Sequence, residues 1–397
     1  MRILHVVPTY LPARRYGGPI VAVHGLCKAL ARRGHQVDVF TTNVDGDETL
    51  DVPESTAVDV DGVRVRYFPS PFRRLYWSSA MRKALDAETG TYDVVHIHAV
   101  YLWTGIAAAR AARNAGVPYV ISPRGMLVPA LIRRKSRLVK TLWLRLVERR
   151  GFANAAAIHF TSALEGEEAA RIGLPLPAPF VVPNGIDVEP QPEVARDEAT
   201  VLFLGRVNWK KGLDRVIAAL PSLPGVRFAI VGNDDEGLTP RLREIARQHG
   251  VSDRVDFLGP VYGTAKNELL SRATLFVLMS TSENFGNAVL EALAMETPVV
   301  LSGDVGLAEE VVHAGAGIIG LEGIAELLRD RERREQMGRN GRMLVESRFT
   351  WPRVAQEMEE AYARIVGGRR SASLAVGSGE DRSTADRRPP TADSDQR

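Results

Sequence analysis

Residues Thr281 to Pro298 read TSENFGNAVLEALAMETP, and the reading of the 397-residue chain turns on them. The apolar run Thr274 to Met279 just before them has the composition of a buried parallel strand. Ser280 to Gly286 form a polar turn, and Val289, Leu290, Leu293 and Ala294 then recur at helical spacing. A strand, a turn and a helix start make an anion site, because the first N–H groups of a helix lack partners and its dipole favours negative charge there. Two carboxylates, Glu283 in the turn and Glu291 on the helix, flank this site and would repel a phosphate. They make sense if they hold sugar hydroxyls on either side of a diphosphate, Glu291 at a ribose and Glu283 at a second sugar.

Glu283-Asn284-Phe285-Gly286, Glu291-Ala292 and Thr297-Pro298-Val299-Val300 together resemble the E-x7-E signature of retaining family 4 glycosyltransferases. Further stretches carry the same resemblance, which covers roughly residues 1 to 366. Arg15-Tyr16-Gly17-Gly18-Pro19 follows the first strand, where in the family a glycine pair faces the donor diphosphate. The strand Tyr92 to His98 ends in the histidine the family places near the reaction centre, His98. Val181 to Asp187, VPNGID after its first valine, matches the family's entry into its second domain. Gly205-Arg206 and Lys211-Gly212 match G-R-x4-K-G, two cations five apart on a loop that can clamp a diphosphate and steady charge on a departing nucleotide. Gly259 and Val261 lie where the family contacts the base through its backbone. Ser122 to Leu127, SPRGML, looks like a pattern of members that build exopolysaccharides, with Arg124 available to an acceptor-side or donor diphosphate.

The resemblance implies the GT-B fold, an α/β arrangement of two Rossmann-like doubly wound parallel-sheet domains facing across a cleft. The expected boundaries are 1–180 for an acceptor-side domain and 181–350 for the nucleotide-sugar domain. Residues 351–366 form a helix returning to the first domain, and 367–397 a Ser-, Arg- and Asp-rich disordered tail. It implies retaining transfer of a hexosyl group, mannosyl or glucosyl, from a UDP- or GDP-linked sugar to a glycan or polyprenyl-linked hydroxyl. The catalytic set is then His98, Arg206, Lys211 and Glu283. The donor set is Gly17, Gly18, Arg206, Lys211, Gly259, Val261, Glu283, Asn284, Phe285, Gly286, Asn287 and Glu291. No cofactor or metal is called for, and Asp45-Gly46-Asp47 reads as a loop rather than a metal motif. A nucleotide-sugar-binding protein without transferase activity, or a GT-B epimerase, are the alternatives. The first is prompted by Glu296, which stands where the family has a capping glycine, and by a shortened 315–325 segment.

Independently of the resemblance, alternating strand and helix patterns across both halves argue for parallel sheets, and the length argues for two domains. A hydrophobic share of 45% and a charged share of 25% fit a globular chain, and no apolar run approaches a membrane span. The single cysteine, Cys27, excludes internal disulfides and reads as core packing. The absence of G-x-G-x-x-G argues against a nicotinamide dehydrogenase, and no nucleic-acid recognition motif is evident. The expected compartment is the cytoplasm. Between Arg124 and Arg150 stand nine Lys/Arg against one Glu148, interleaved with Leu138, Leu142, Trp143, Leu146 and Val147. That pattern suits either a helix on an anionic membrane surface or one packed on its own domain with solvated arginines.

Overall fold

The computed structural model describes residues 1–13, 15, 17–129 and 137–377. Two sheets organise them. The first has eight strands in the spatial order Pro179–Val181, Ala157–Phe160, Tyr119–Ser122, Val94–His98, Arg2–Val6, Gln36–Thr42, Val63–Phe68, Ala57–Val60. All neighbours are parallel except the last pair. The second has six parallel strands, Val255–Gly259, Arg227–Val231, Thr200–Leu204, Leu275–Leu278, Val299–Leu301 and Gly317–Ile319. Near-continuous apolar runs on these strands are what burial on both faces requires. Phe203, Phe228 and Phe276 are fully buried in the second lobe.

In each sheet the strand order reverses once, and ligands of doubly wound sheets bind outside the carboxyl ends at that point. In the first lobe the reversal lies between Arg2–Val6 and Val94–His98, so Gly17, Gly18 and His98 follow it. In the second it lies between Thr200–Leu204 and Leu275–Leu278, so Arg206 and Lys211 follow one strand and Glu283 the other.

The lobes are joined twice. Residues 182–187 lead into the second lobe, and Ile186 N–H donates to Phe349 O at 2.8 Å where the chain turns back. The helix Trp351–Gly377 then lies on the first lobe, burying Val354, Ala355, Met358 and Tyr362 against Val23, Cys27 and their neighbours. Its backbone continues eleven positions beyond residue 366, so 367–377 is helical rather than the start of a disordered tail. Residues 378–397 of that expected tail lie outside the described residues. Cys27 is buried core, and burial pushes its thiol up to about 12.

Two departures flagged in the sequence have clear local outcomes. Glu296 takes the left-handed conformation a glycine would adopt at φ 54°. Arg196 Nη2 donates to its carbonyl at 3.1 Å, and the Gly338 backbone packs against it without room for a Cβ. The short 315–325 connection closes without a gap, because the helix Ile324–Arg329 turns Ile324 and Leu327 into the core.

Candidate active site

The second-lobe half of the cleft brings Arg206, Lys211 and Glu283 together. Gly205 to Gly212 leave the Thr200–Leu204 strand, and Gly212 closes the loop at φ 65° against the carbonyl of Met279. A side chain there would meet both a left-handed backbone and an overlap with that oxygen. Thr281 N–H donates to Lys210 O at 2.8 Å, so the cationic loop and the Glu283 turn are zipped together. Lys211 Nζ bonds Glu283 Oε2 directly. Arg206 is exposed and makes no hydrogen bond or ion pair to a described residue. Burial, then the neighbouring Lys211 and Arg206 charges, lower the Lys210 pKa, while Glu283 opposes them.

Glu283 is fixed by its backbone as well. Its N–H donates to Asp304 O at 2.9 Å, and its carbonyl accepts Gly306 N–H at 2.8 Å. Gly286, at φ 99°, caps the helix Asn287–Ala294. The N–H groups of Asn284, Phe285 and Gly286 have no acceptor among the described residues, and they line the entrance to that helix. Eight residues past Glu283, Glu291 pairs with Lys266 at 3.0 Å. Gly259, at φ 70°, accepts Gly232 N–H at 2.9 Å, and half-buried Val261 packs beside it.

Several expected roles change in detail. The Phe285 side chain is core, edge-on to Phe349 at 6.0 Å, so only its backbone can face a ligand. Asn284 and Asn287 turn toward the first lobe: Asn287 Oδ1 accepts from Asn184 Nδ2 at 2.9 Å, and Asn287 Nδ2 donates to Gly18 O at 3.3 Å. The Gly17-Gly18 pair thus faces the helix start across the cleft; Tyr16 of the same motif lies outside the described residues. Lys266 carries no signal in the sequence, and Ser162 and Glu165 read there only as part of the strand-to-helix turn Phe160 to Glu165, in which Glu165 follows Ser162 by three in a capping-box pattern.

His98 is buried at 2% exposure, with both ring nitrogens engaged. It shares a hydrogen with His5 Nδ1 at 2.9 Å and accepts from Arg124 Nε at 3.4 Å. Arg124 Nη1 donates to Asn184 Oδ1 at 2.8 Å. Arg124 and His98 therefore form one buried network in this state instead of presenting free groups to the cleft. His96 bonds Tyr362 of the returning helix at 2.6 Å, which makes it structural. Burial, reinforced by nearby positive charge or neighbouring imidazoles, pulls all four clustered histidines down, His5 and His159 to about 3. The ligand-capable nitrogens of His5, His96 and His98 lie within 4.8 Å of one another. With the Arg124 cation beside them and no carboxylate in the set, they suit a neutral hydrogen-bonded network better than a metal. Asp45-Gly46-Asp47 lies at a small antiparallel turn, Val44–Asp45 against Glu48–Thr49.

The basic segment also differs from a single regular helix. It runs as α-helix Arg137–Trp143, a π turn Leu144–Glu148 and α-helix Arg149–Asn154; Arg133, Arg134 and Lys135 lie outside the described residues. The π turn brings Glu148 inward, where it accepts Tyr101 N–H at 2.8 Å. Leu138 and Leu146 remain 85% and 71% exposed, beside exposed Arg145, Arg149 and Arg150. Among the described residues no helix is long and apolar enough to cross a membrane.

Residues 17–185 match the glycosyl transferase 4-like domain, and residues 187–343 match glycosyl transferases group 1. A D-inositol 3-phosphate glycosyltransferase of Xylanimonas cellulosilytica is 30% identical, over 88% of this chain and 92% of its own. An uncharacterized glycosyltransferase of Methanocaldococcus jannaschii is 29% identical, over 91% of this chain and 98% of its own. The Anabaena HepE structure solved with UDP and glucose superimposes with a TM-score of 0.71 at 19% identity, over 91% and 99% of the two chains.

Proposed function

Because the chain belongs to the family 4 GT-B glycosyltransferases, we propose that it transfers a hexosyl group, with retention, from a UDP- or GDP-linked sugar to a hydroxyl of a glycan or polyprenyl-linked acceptor. The observation that carries this reading is the Lys211–Glu283 pair at the start of the Asn287–Ala294 helix, with exposed Arg206 beside it. A donor diphosphate lying there meets two cations and a row of unpaired N–H groups, and the sugar beyond it meets the Glu283 carboxylate. As the glycosidic bond breaks, negative charge grows on the leaving diphosphate. Arg206 and the helix start are preplaced for that charge, and Lys211 turns to it from Glu283 as the diphosphate binds. Glu283 orients the sugar by hydrogen bonds. Glu291, steadied by Lys266, takes the ribose hydroxyls, and the Gly259–Val261 backbone the base.

A role in surface or exopolysaccharide synthesis is supported by the SPRGML stretch and by the exposed Leu138, Leu142 and Leu146 among cations, which suit peripheral contact with an anionic membrane. UDP- and GDP-sugars offered in turn, with release of the nucleoside diphosphate followed, test the reading. Release from one of them that depends on Lys211 supports it, and binding without release from any donor favours a nucleotide-sugar-binding protein instead.

A further inference from the structure

Transfer chemistry gives no role to Glu165, a buried carboxylate of the lobe opposite the donor. Glu165, 2% exposed, sits in the first turn of the helix Ala163–Ala170. A capping-box glutamate normally reaches back to the N–H of the cap residue. This one accepts instead from Thr161, from its N–H at 2.8 Å and its Oγ1 at 2.9 Å, both through Oε2. Its other oxygen accepts Gly125 N–H at 2.7 Å and crosses the cleft to Asn284 Nδ2 at 3.3 Å. The cap residue Ser162 crosses as well, donating its hydroxyl to the carbonyl of Asn284 at 2.6 Å.

Asn284 is thus held by side chain and backbone from the first lobe, and it is the residue next to Glu283. A second chain of bonds runs parallel to the first. Arg124, the residue before Gly125, donates to Asn184, and Asn184 donates to Asn287 one position past the helix cap. Gly125 fits beneath Asn284 so closely that a Cβ there would overlap its amide group. The loop 123–127 of one lobe and the loop 281–287 of the other are therefore fastened at both ends of the anion-binding turn.

We infer that Glu165 is a positioning residue for the transfer. Through Asn284 it fixes the Glu283 carboxylate, and it does so only while the lobes are closed. The inference rests on Glu283 being the sugar-orienting residue. Bare nucleotide contacts Lys211, the helix start and Glu291, all in the second lobe. Loss of the latch should therefore leave nucleotide affinity near its normal value and appear in turnover.

The test is a polarity swap. Asn284→Asp sets a second carboxylate against Glu165, and at about pH 9, where the pair does not share a proton, the like charges push the loops apart. Adding Glu165→Gln removes one charge and turns an amide N–H toward the new aspartate, at the expense of one of the backbone N–H bonds from Gly125 and Thr161. Small-angle scattering at that pH should show Asn284→Asp more extended than the wild type, with turnover down about ten-fold or more. The double variant should be more compact than Asn284→Asp and regain part of the turnover. Glu165→Ala, which touches no donor contact, should lower turnover with nucleoside diphosphate affinity within about two-fold. A compact, fully active Asn284→Asp overturns the inference. So does a double variant no more compact or no more active than Asn284→Asp, and so does a Glu165→Ala whose turnover is that of the wild type. The scattering comparison needs no donor, so a protein that turns over no nucleotide sugar fails as a transferase while its latch is still judged.

Discussion

Replacing Lys211 separates the phosphate clamp from the sugar contact. In the free protein Lys211 is spent on Glu283, with side chains 20% and 22% exposed, so an incoming diphosphate must compete with that carboxylate for the ammonium. Lys211→Met keeps the stem and removes the charge. A charge-assisted hydrogen bond is worth about 1.5–3 kcal/mol. Taking ~2 kcal/mol, nucleoside diphosphate affinity should fall about 30-fold. Glu283→Gln works in the opposite sense, because it frees the lysine: bare nucleotide should bind as well as before or a few-fold tighter, while turnover falls at least about ten-fold as the sugar loses its orienting carboxylate. Glu291→Gln should weaken nucleotide and nucleotide sugar alike, by about 1 kcal/mol. Calorimetry with nucleoside diphosphate and with nucleotide sugar, plus a turnover rate for each variant, reads all three. If Glu283→Gln weakens bare nucleotide as much as Lys211→Met does, or leaves turnover untouched, the division of labour between lysine and glutamate is wrong.

Gly212→Ala should cost about 2 kcal/mol or more of stability, from a positive φ and an overlap with Met279 O, and thermal unfolding would show a clear drop in midpoint; an unchanged midpoint contradicts the loop geometry. The buried histidines predict acid sensitivity. His5 and His159 have folded values near 3, below their unfolded value, so their contribution is fully present above about pH 6.5 and lost as pH falls from there toward 3. Together they should cost about 3 kcal/mol per pH unit below about pH 6. Denaturant midpoints that match at pH 7.5 and 5.5 would rule this out. On the outer face, sedimentation with vesicles containing anionic phosphatidylglycerol should be lost in high salt and in an Arg145→Glu, Arg149→Glu variant. Persistence of binding in that variant would exclude the basic face as the contact.

Much of this architecture could be read from the sequence because the relevant signals are local. Near-continuous apolar runs and period-3.6 patterns announce the parallel strands and their helices. The spacing from Glu283 to Glu291 and from Arg206 to Lys211 announces one wall of the cleft. Glu296 in a glycine's place pointed to the turn it occupies. What stayed hidden depends on contacts between distant segments. Lys266 meets Glu291 only after two helices pack, and Glu165 meets Asn284 only after two lobes close. Phe285 sits inside the family motif, yet its side chain belongs to the core, because the turn that exposes its N–H points its ring inward toward Phe349. His98 stands at a sheet's carboxyl edge as expected, but Arg124 and Asn184 fold over it, a contact that involves three segments of chain. The basic helix misled in a different way: the π turn at Leu144–Glu148 shifts its register, so Trp143 and Val147 turn inward while Leu138, Leu142 and Leu146 stay out.

The most direct test of the central claim is a single-turnover assay with labelled UDP- and GDP-sugars, reading nucleoside diphosphate release and the anomeric configuration of the product by NMR. The account predicts release from one donor class, a product with the donor's anomeric configuration, and loss of release in Lys211→Met. An inverted product, or release that Lys211→Met leaves unchanged, would contradict it.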